Sequence, residues 1–179
     1  MIYAFLANGF EECEAIAPID ILRRAGFEVV TVGVNGKTAV GAHNIPIVCD
    51  VTLDEIGRQN IEAIILPGGM PGTTNLENSK PVMDIIDYCY DNNILIAAIC
   101  AAPSIIGKNN FLKHKKATCF PGFEKYLNGA IITEDSVVCD GNFITAKGAG
   151  VAFQFGFAIL EYLTDSATAD NLKKTMIFK

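Results

Sequence analysis

Two side chains in this sequence could make and break bonds as a pair: the thiol of Cys100 and the carboxyl of Glu14, each just past an apolar run. Cys100 follows Ile94 to Ile99 and precedes Ala101-Ala102-Pro103-Ser104. Small residues on both sides suit a tight strand-to-helix turn that holds a nucleophile in strained, accessible geometry. A thiol placed there meets helix-terminal N–H groups, which favour its thiolate. A buried structural cysteine is the commoner fate of this residue type, so position alone does not decide. Pro67-Gly68-Gly69 closes another apolar run. Two glycines there let a backbone N–H approach the same place and form an anion hole with the Ala101 N–H.

Glu11, Glu12 and Glu14 crowd the first turn of a helical pattern. Glu11 and Glu12 are expected to complement the helix dipole. Glu14 differs, because at 100° per residue it shares a stripe with Pro18, Ile21 and Ala25 and so points inward. A buried carboxyl is either protonated or hydrogen-bonded to a partner, and both states are chemically useful. Pro18 lacks the N–H that would bond the carbonyl of residue 14, which predicts a kink. If the thiolate and Glu14 lie about 4 Å apart, joint ionisation costs on the order of 4 kcal/mol at an effective dielectric near 20. One shared proton is therefore expected, with the Glu14 pKa raised and that of Cys100 lowered below the other five thiols.

The two histidines, His43 and His114, lie near no cysteine pair, so no metal site is expected. His114 sits in the basic run Lys113-His114-Lys115-Lys116, which reads as a solvated loop. Gly148-Ala149-Gly150 reads as a loop opening the last long helix, chiefly a packing feature, with Ala149 available to line the site.

The elements that must position these groups alternate. Strand-like runs at 2–7, 28–32, 63–66, 94–99, 137–139 and 143–146 are separated by helical patterns. Ala63-Ile-Ile-Leu66 and Ile94 to Ile99 are apolar without alternation, as strands covered on both faces are. This predicts one α/β domain spanning 1–179, a doubly wound, mostly parallel sheet sandwiched by helices. Asp140-Gly141 adds one antiparallel hairpin. Ligands in such sheets sit beyond the carboxyl ends of the strands, where Cys100, Glu14 and Gly68-Gly69 all fall.

With 179 residues, a net charge of -6 and a pI near 4.9, the chain lacks the basic footprint of tight nucleic-acid binders. Its apolar runs of five to seven residues are too short to cross a bilayer. Met1-Ile-Tyr-Ala-Phe-Leu-Ala7 has no basic leader and reads as a first strand, which points to the cytoplasm. The six cysteines, without any C-x-x-C pair, are expected to be reduced.

Asn8-Gly-Phe-Glu-Glu-Cys-Glu14, Pro18 to Gly26, Leu66-Pro-Gly-Gly69, Ala97-Ala-Ile-Cys-Ala-Ala-Pro103 and Lys147-Gly-Ala-Gly150 together resemble, in order and spacing, the DJ-one-like branch of the ThiJ/PfpI superfamily. The resemblance covers nearly the whole chain. It implies a flavodoxin-like fold, a homodimer, a Cys100 nucleophile hydrogen-bonded to protonated Glu14, and an oxyanion pocket from the N–H groups of Gly69 and Ala101. The pocket lining implied for this chain includes Gly68, Phe120, His43 and Ala149. Protease-like relatives place His after the cysteine where this chain has Ala101, which disfavours a peptidase. Phe120 stands where DJ-one-like proteins often have His, shifting proton transfer onto Glu14. His43 stands where some relatives present an arginine from the neighbouring subunit. The function implied is a cofactor-independent glyoxalase or deglycase acting on a small reactive aldehyde such as methylglyoxal. The alternative is a redox sensor or stress-linked chaperone that oxidises the same cysteine.

Overall fold

The computed structural model describes residues 1–178. In chain order the elements are β1 Ile2–Leu6, α1 Glu12–Arg24, β2 Val29–Gly33, β3 Thr38–Val40, β4 Pro46–Val48, β5 Val51–Thr52, β6 Ala63–Leu66, α2 Gly72–Glu77, α3 Lys80–Asp91, β7 Leu95–Ile99, α4 Pro103–Lys108, β8 Lys116–Ala117, β9 Ile131–Ile132, β10 Val137–Asp140, β11 Phe143–Ala146, α5 Ala152–Leu163 and α6 Ser166–Thr175. The main sheet has seven strands in the order β10-β11-β7-β6-β1-β2-β5. All neighbours in it are parallel except β10 and β11, which pair antiparallel around Asp140-Gly141. The fold is flavodoxin-like.

Burial explains why the central runs show no alternation. Along β1, Ile2, Ala4 and Leu6 pack into one apolar layer with residues of α1, α5 and α6, while Tyr3 and Phe5 pack into a second layer with residues of α2, α3 and α4. Residues of β6 and β7 divide the same way, so each strand must be apolar at every position.

α1 opens with Glu11, whose carboxylate accepts from the Glu14 N–H at 2.8 Å. It continues through Pro18 to Arg24, so the proline does not end the helix. α5 packs directly against it. A methyl group on Gly156 would lie 2.9 Å from Pro18 Cα, so glycine lets the two helices meet at this crossing. Among the described residues no helix is long and apolar enough to cross a membrane.

Candidate active site

Cys100 follows β7 directly and takes φ +65°, a left-handed conformation that costs a non-glycine residue of order 1–3 kcal/mol. Backbone bonds on both sides hold it there. Its N–H donates to Ala146 O at 2.8 Å, at the end of β11, and its carbonyl accepts from the Phe120 N–H at 2.7 Å. The chain then turns into α4, with Ser104 Oγ donating to Ala101 O at 2.7 Å. The strained turn expected from Ala101-Ala102-Pro103 is present.

Glu14 lies one turn into α1 and is 1 % exposed. Its Oε2 accepts from the Gly68 N–H at 2.9 Å, and the Cys100 thiol and the Ala149 backbone lie close enough to favour its ionised form. The N–H groups of Gly69 and Ala101 face the same thiol. Gly68 can only be glycine: a methyl group there would lie 2.6 Å from both Cys100 Cβ and Glu14 Oε2. Five of the expected residues, Cys100, Glu14, Gly68, Gly69 and Ala101, thus meet at the carboxyl ends of β6 and β7 and the start of α1.

Burial pushes the Glu14 carboxyl up to about 7, against the pull of its hydrogen bonds. The Cys100 thiol is pushed up to about 12, first by burial and then by the charge of Glu14, while the Gly69 and Ala101 N–H groups pull it down. This corrects the expectation of a lowered thiol: beside ionised Glu14, Cys100 is no more acidic than buried Cys89 or Cys119, also near 12. What the geometry retains is the coupling. Glu14 gives up its proton first, near pH 7, while the Cys100 thiol keeps its own to far higher pH, so above neutrality the pair carries one proton, on the sulfur.

Three other residues fall differently from expectation. Ala149 is more than lining, because its backbone faces the Glu14 carboxyl and favours its ionised form; the flanking glycines were the available signal. Glu12 does more than complement the helix dipole. It is 7 % exposed, accepts from the His43 N–H at 2.8 Å, pairs with His43 Nδ1 at 2.8 Å, and so pins the 41–45 loop onto α1. Ile16 and Ile19, four and seven positions on, mark the half-apolar stripe that hinted at this. His43 is spent on that latch, and its imidazole pKa is raised by the Glu12 hydrogen bond. Ligand atoms of Glu11, Glu12 and His43 lie within 4.8 Å of one another, but Glu12 is already committed to the loop. Phe120 does border the site: a methyl group on Gly148 would lie 3.4 Å from Phe120 Cδ2 and 3.8 Å from Glu14 Oε1. All six cysteines are free thiols.

Comparison with known proteins places the chain in a family. The profile of the DJ-1/PfpI family matches residues 1–162. The chain belongs to the DJ-1/PfpI family. It is 34 % identical to Protein dj-1beta of Drosophila melanogaster over 175 residues, covering 96 % of this chain and 94 % of that protein. A DJ-1 superfamily protein from Salmonella typhimurium superposes with a TM-score of 0.93 at 32 % identity, covering 99 % of this chain and 98 % of the other. The glutathione-independent glyoxalase DJR-1.2 of Caenorhabditis elegans is 29 % identical over 93 % of this chain and 89 % of its own length.

Proposed function

We propose that this DJ-1/PfpI protein is a glutathione-independent glyoxalase or deglycase that isomerises and hydrates 2-oxoaldehydes, free or as adducts. The observation that carries the reading is the one-proton pair of Cys100 and Glu14 beneath two backbone donors, Gly69 and Ala101. As the Cys100 sulfur adds to the aldehyde carbon, its proton passes to Glu14, which hands it to the new alkoxide oxygen to complete a hemithioacetal. Glu14, now a carboxylate, removes the proton from the former aldehyde carbon and returns one to the neighbouring carbonyl carbon, through an enediol. The product is a thioester of a 2-hydroxy acid. Water then attacks the acyl carbon, the C–S bond breaks, and acid and thiol are released. Oxidation of one carbon is balanced by reduction of its neighbour, so the substrate supplies both electron donor and acceptor. The Gly69 and Ala101 N–H groups stabilise the oxygen that becomes negative at each addition.

The test is lactate formation from methylglyoxal without glutathione, in wild type beside Cys100→Ser. We expect turnover in wild type and none in the variant. The kcat/KM should rise with pH through about 7, as the pair passes from two protons to one. Glu14→Gln should lose that limb together with most activity. Selective peroxide oxidation of Cys100 without any turnover would replace the enzyme with the redox sensor. A homodimer is proposed alongside, supported by an apolar face of Ile16, Ile45 and Phe153, all at least 40 % exposed; a monomer by sedimentation would remove it.

A further inference from the structure

The mechanism leaves Phe120 without a task. It is a large apolar side chain 47 % exposed beside a reactive thiol, with its backbone N–H bonded to the Cys100 carbonyl. Its ring lies near Gly148, close to the Glu14 carboxyl: one methyl group added there would come within 3.4 Å of Phe120 Cδ2 and 3.8 Å of Glu14 Oε1. Behind it Phe123 sits edge-on, centroids 6.5 Å apart at 79°, and Tyr126 continues the series at 5.8 Å from Phe123. The pair therefore has an aromatic wall, fixed in place by a backbone bond and by its own packing.

The charges around the pair point the same way. No lysine, arginine or histidine is among the leading influences on the ionisation of Cys100 or Glu14, whereas the negative Glu11 does act on Glu14. The nearby cations are engaged elsewhere: Lys147 Nζ with Glu134 Oε2 at 2.9 Å and His43 with Glu12. A carboxylate or phosphate on the substrate would face the negative charges of Glu11 and Glu14. A neutral substrate with an apolar face would cover the exposed ring and remove it from water.

Resting on the 2-oxoaldehyde reading, we infer that Phe120 is a specificity-determining residue that selects 2-oxoaldehydes bearing a neutral aryl group over the methyl-bearing homologue. The aldehyde carbon meets Cys100, and the substituent on the adjacent carbonyl lies along the Phe120 ring.

The test compares kcat/KM for phenylglyoxal and methylglyoxal in wild type, Phe120→Ala and Phe120→Tyr. Alongside it, the rates at which phenacyl bromide and bromoacetone alkylate Cys100 are followed by peptide mass, which separates that thiol from exposed Cys13. The second assay offers the same aryl and methyl groups and needs no turnover. The aryl-to-methyl ratio should fall roughly five- to tenfold in Phe120→Ala, the worth of one aromatic contact, and return to within about twofold in Phe120→Tyr. Should the alanine protein fail to fold, Phe120→Leu supplies the comparison. An unmoved ratio in both assays overturns the assignment. A shifted alkylation ratio in a protein that turns over neither aldehyde sustains the wall and sinks the proposed reaction instead.

Discussion

Glu14 carries a stability cost that its chemistry explains. Its carboxyl pKa, raised from the ordinary 4.5 to about 7 chiefly by burial, means that the folded state prefers the proton. The sign follows: with the folded value above the unfolded one, the favourable contribution is complete below about pH 4 and is lost as pH rises through about 7. At pH 8 the ionised group destabilises the fold by about 3 kcal/mol relative to its protonated form. Glu14→Gln keeps an acceptor for the Gly68 N–H and carries no charge. Its melting temperature should exceed that of wild type by several degrees at pH 8 and converge with it near pH 4. Equal melting temperatures at both pH values would show that Glu14 is not held in a costly state. The inward position of Glu14 was legible from its apolar stripe, Pro18 and Ile21 above all, because helical periodicity is local. The Cys100 pKa was not. It depends on burial by segments distant in the chain and on the state of Glu14, and no spacing near residue 100 encodes either.

At the level of elements, the turn after β7 and the turn after β6 fit each other with no spare volume. Gly68→Ala would place a methyl 2.6 Å from Cys100 Cβ and 2.9 Å from Ile99 O, the latter in backbone that cannot move without disturbing β7. Overpacking of this kind costs about 1–3 kcal/mol. The expected result is a lowered denaturant midpoint together with a loss of turnover larger than the stability change explains. Full turnover in a folded Gly68→Ala protein would mean that the two turns do not set the thiol's position. β6 and β11 have the bounds read from sequence, and β7 differs by one residue, because fully buried runs end where glycine, proline or a turn interrupts them. The hairpin of β3 and β4 and the pair β8 and β9 went unread: two or three residues, many of them exposed, leave no periodic signal. The loop at 41–45 was equally hidden, since its anchor, Glu12, lies about thirty positions away along the chain.

Across the whole molecule, the main sheet separates two apolar layers, and the reactive pair sits at the sheet edge where they meet. Cys100 packs with the layer that includes α1 and α5, while Ala102, two residues on, packs with the other. Glu14 reaches from α1 to grip the Gly68 N–H, and the Glu11 N–H, just ahead of α1, grips the Gly68 carbonyl at 3.0 Å. One residue just past β6, Gly68, is thus clasped through both its N–H and its carbonyl by the start of α1. Any breathing motion that lifts this end of the helix from the sheet must break both bonds and part the carboxyl from the thiol in the same event. The Cys100 thiol is therefore also a gauge. Whenever the amino-terminal helix opens, its reactivity changes, and the slow exchange of a single amide hydrogen, that of Gly68, keeps time with it.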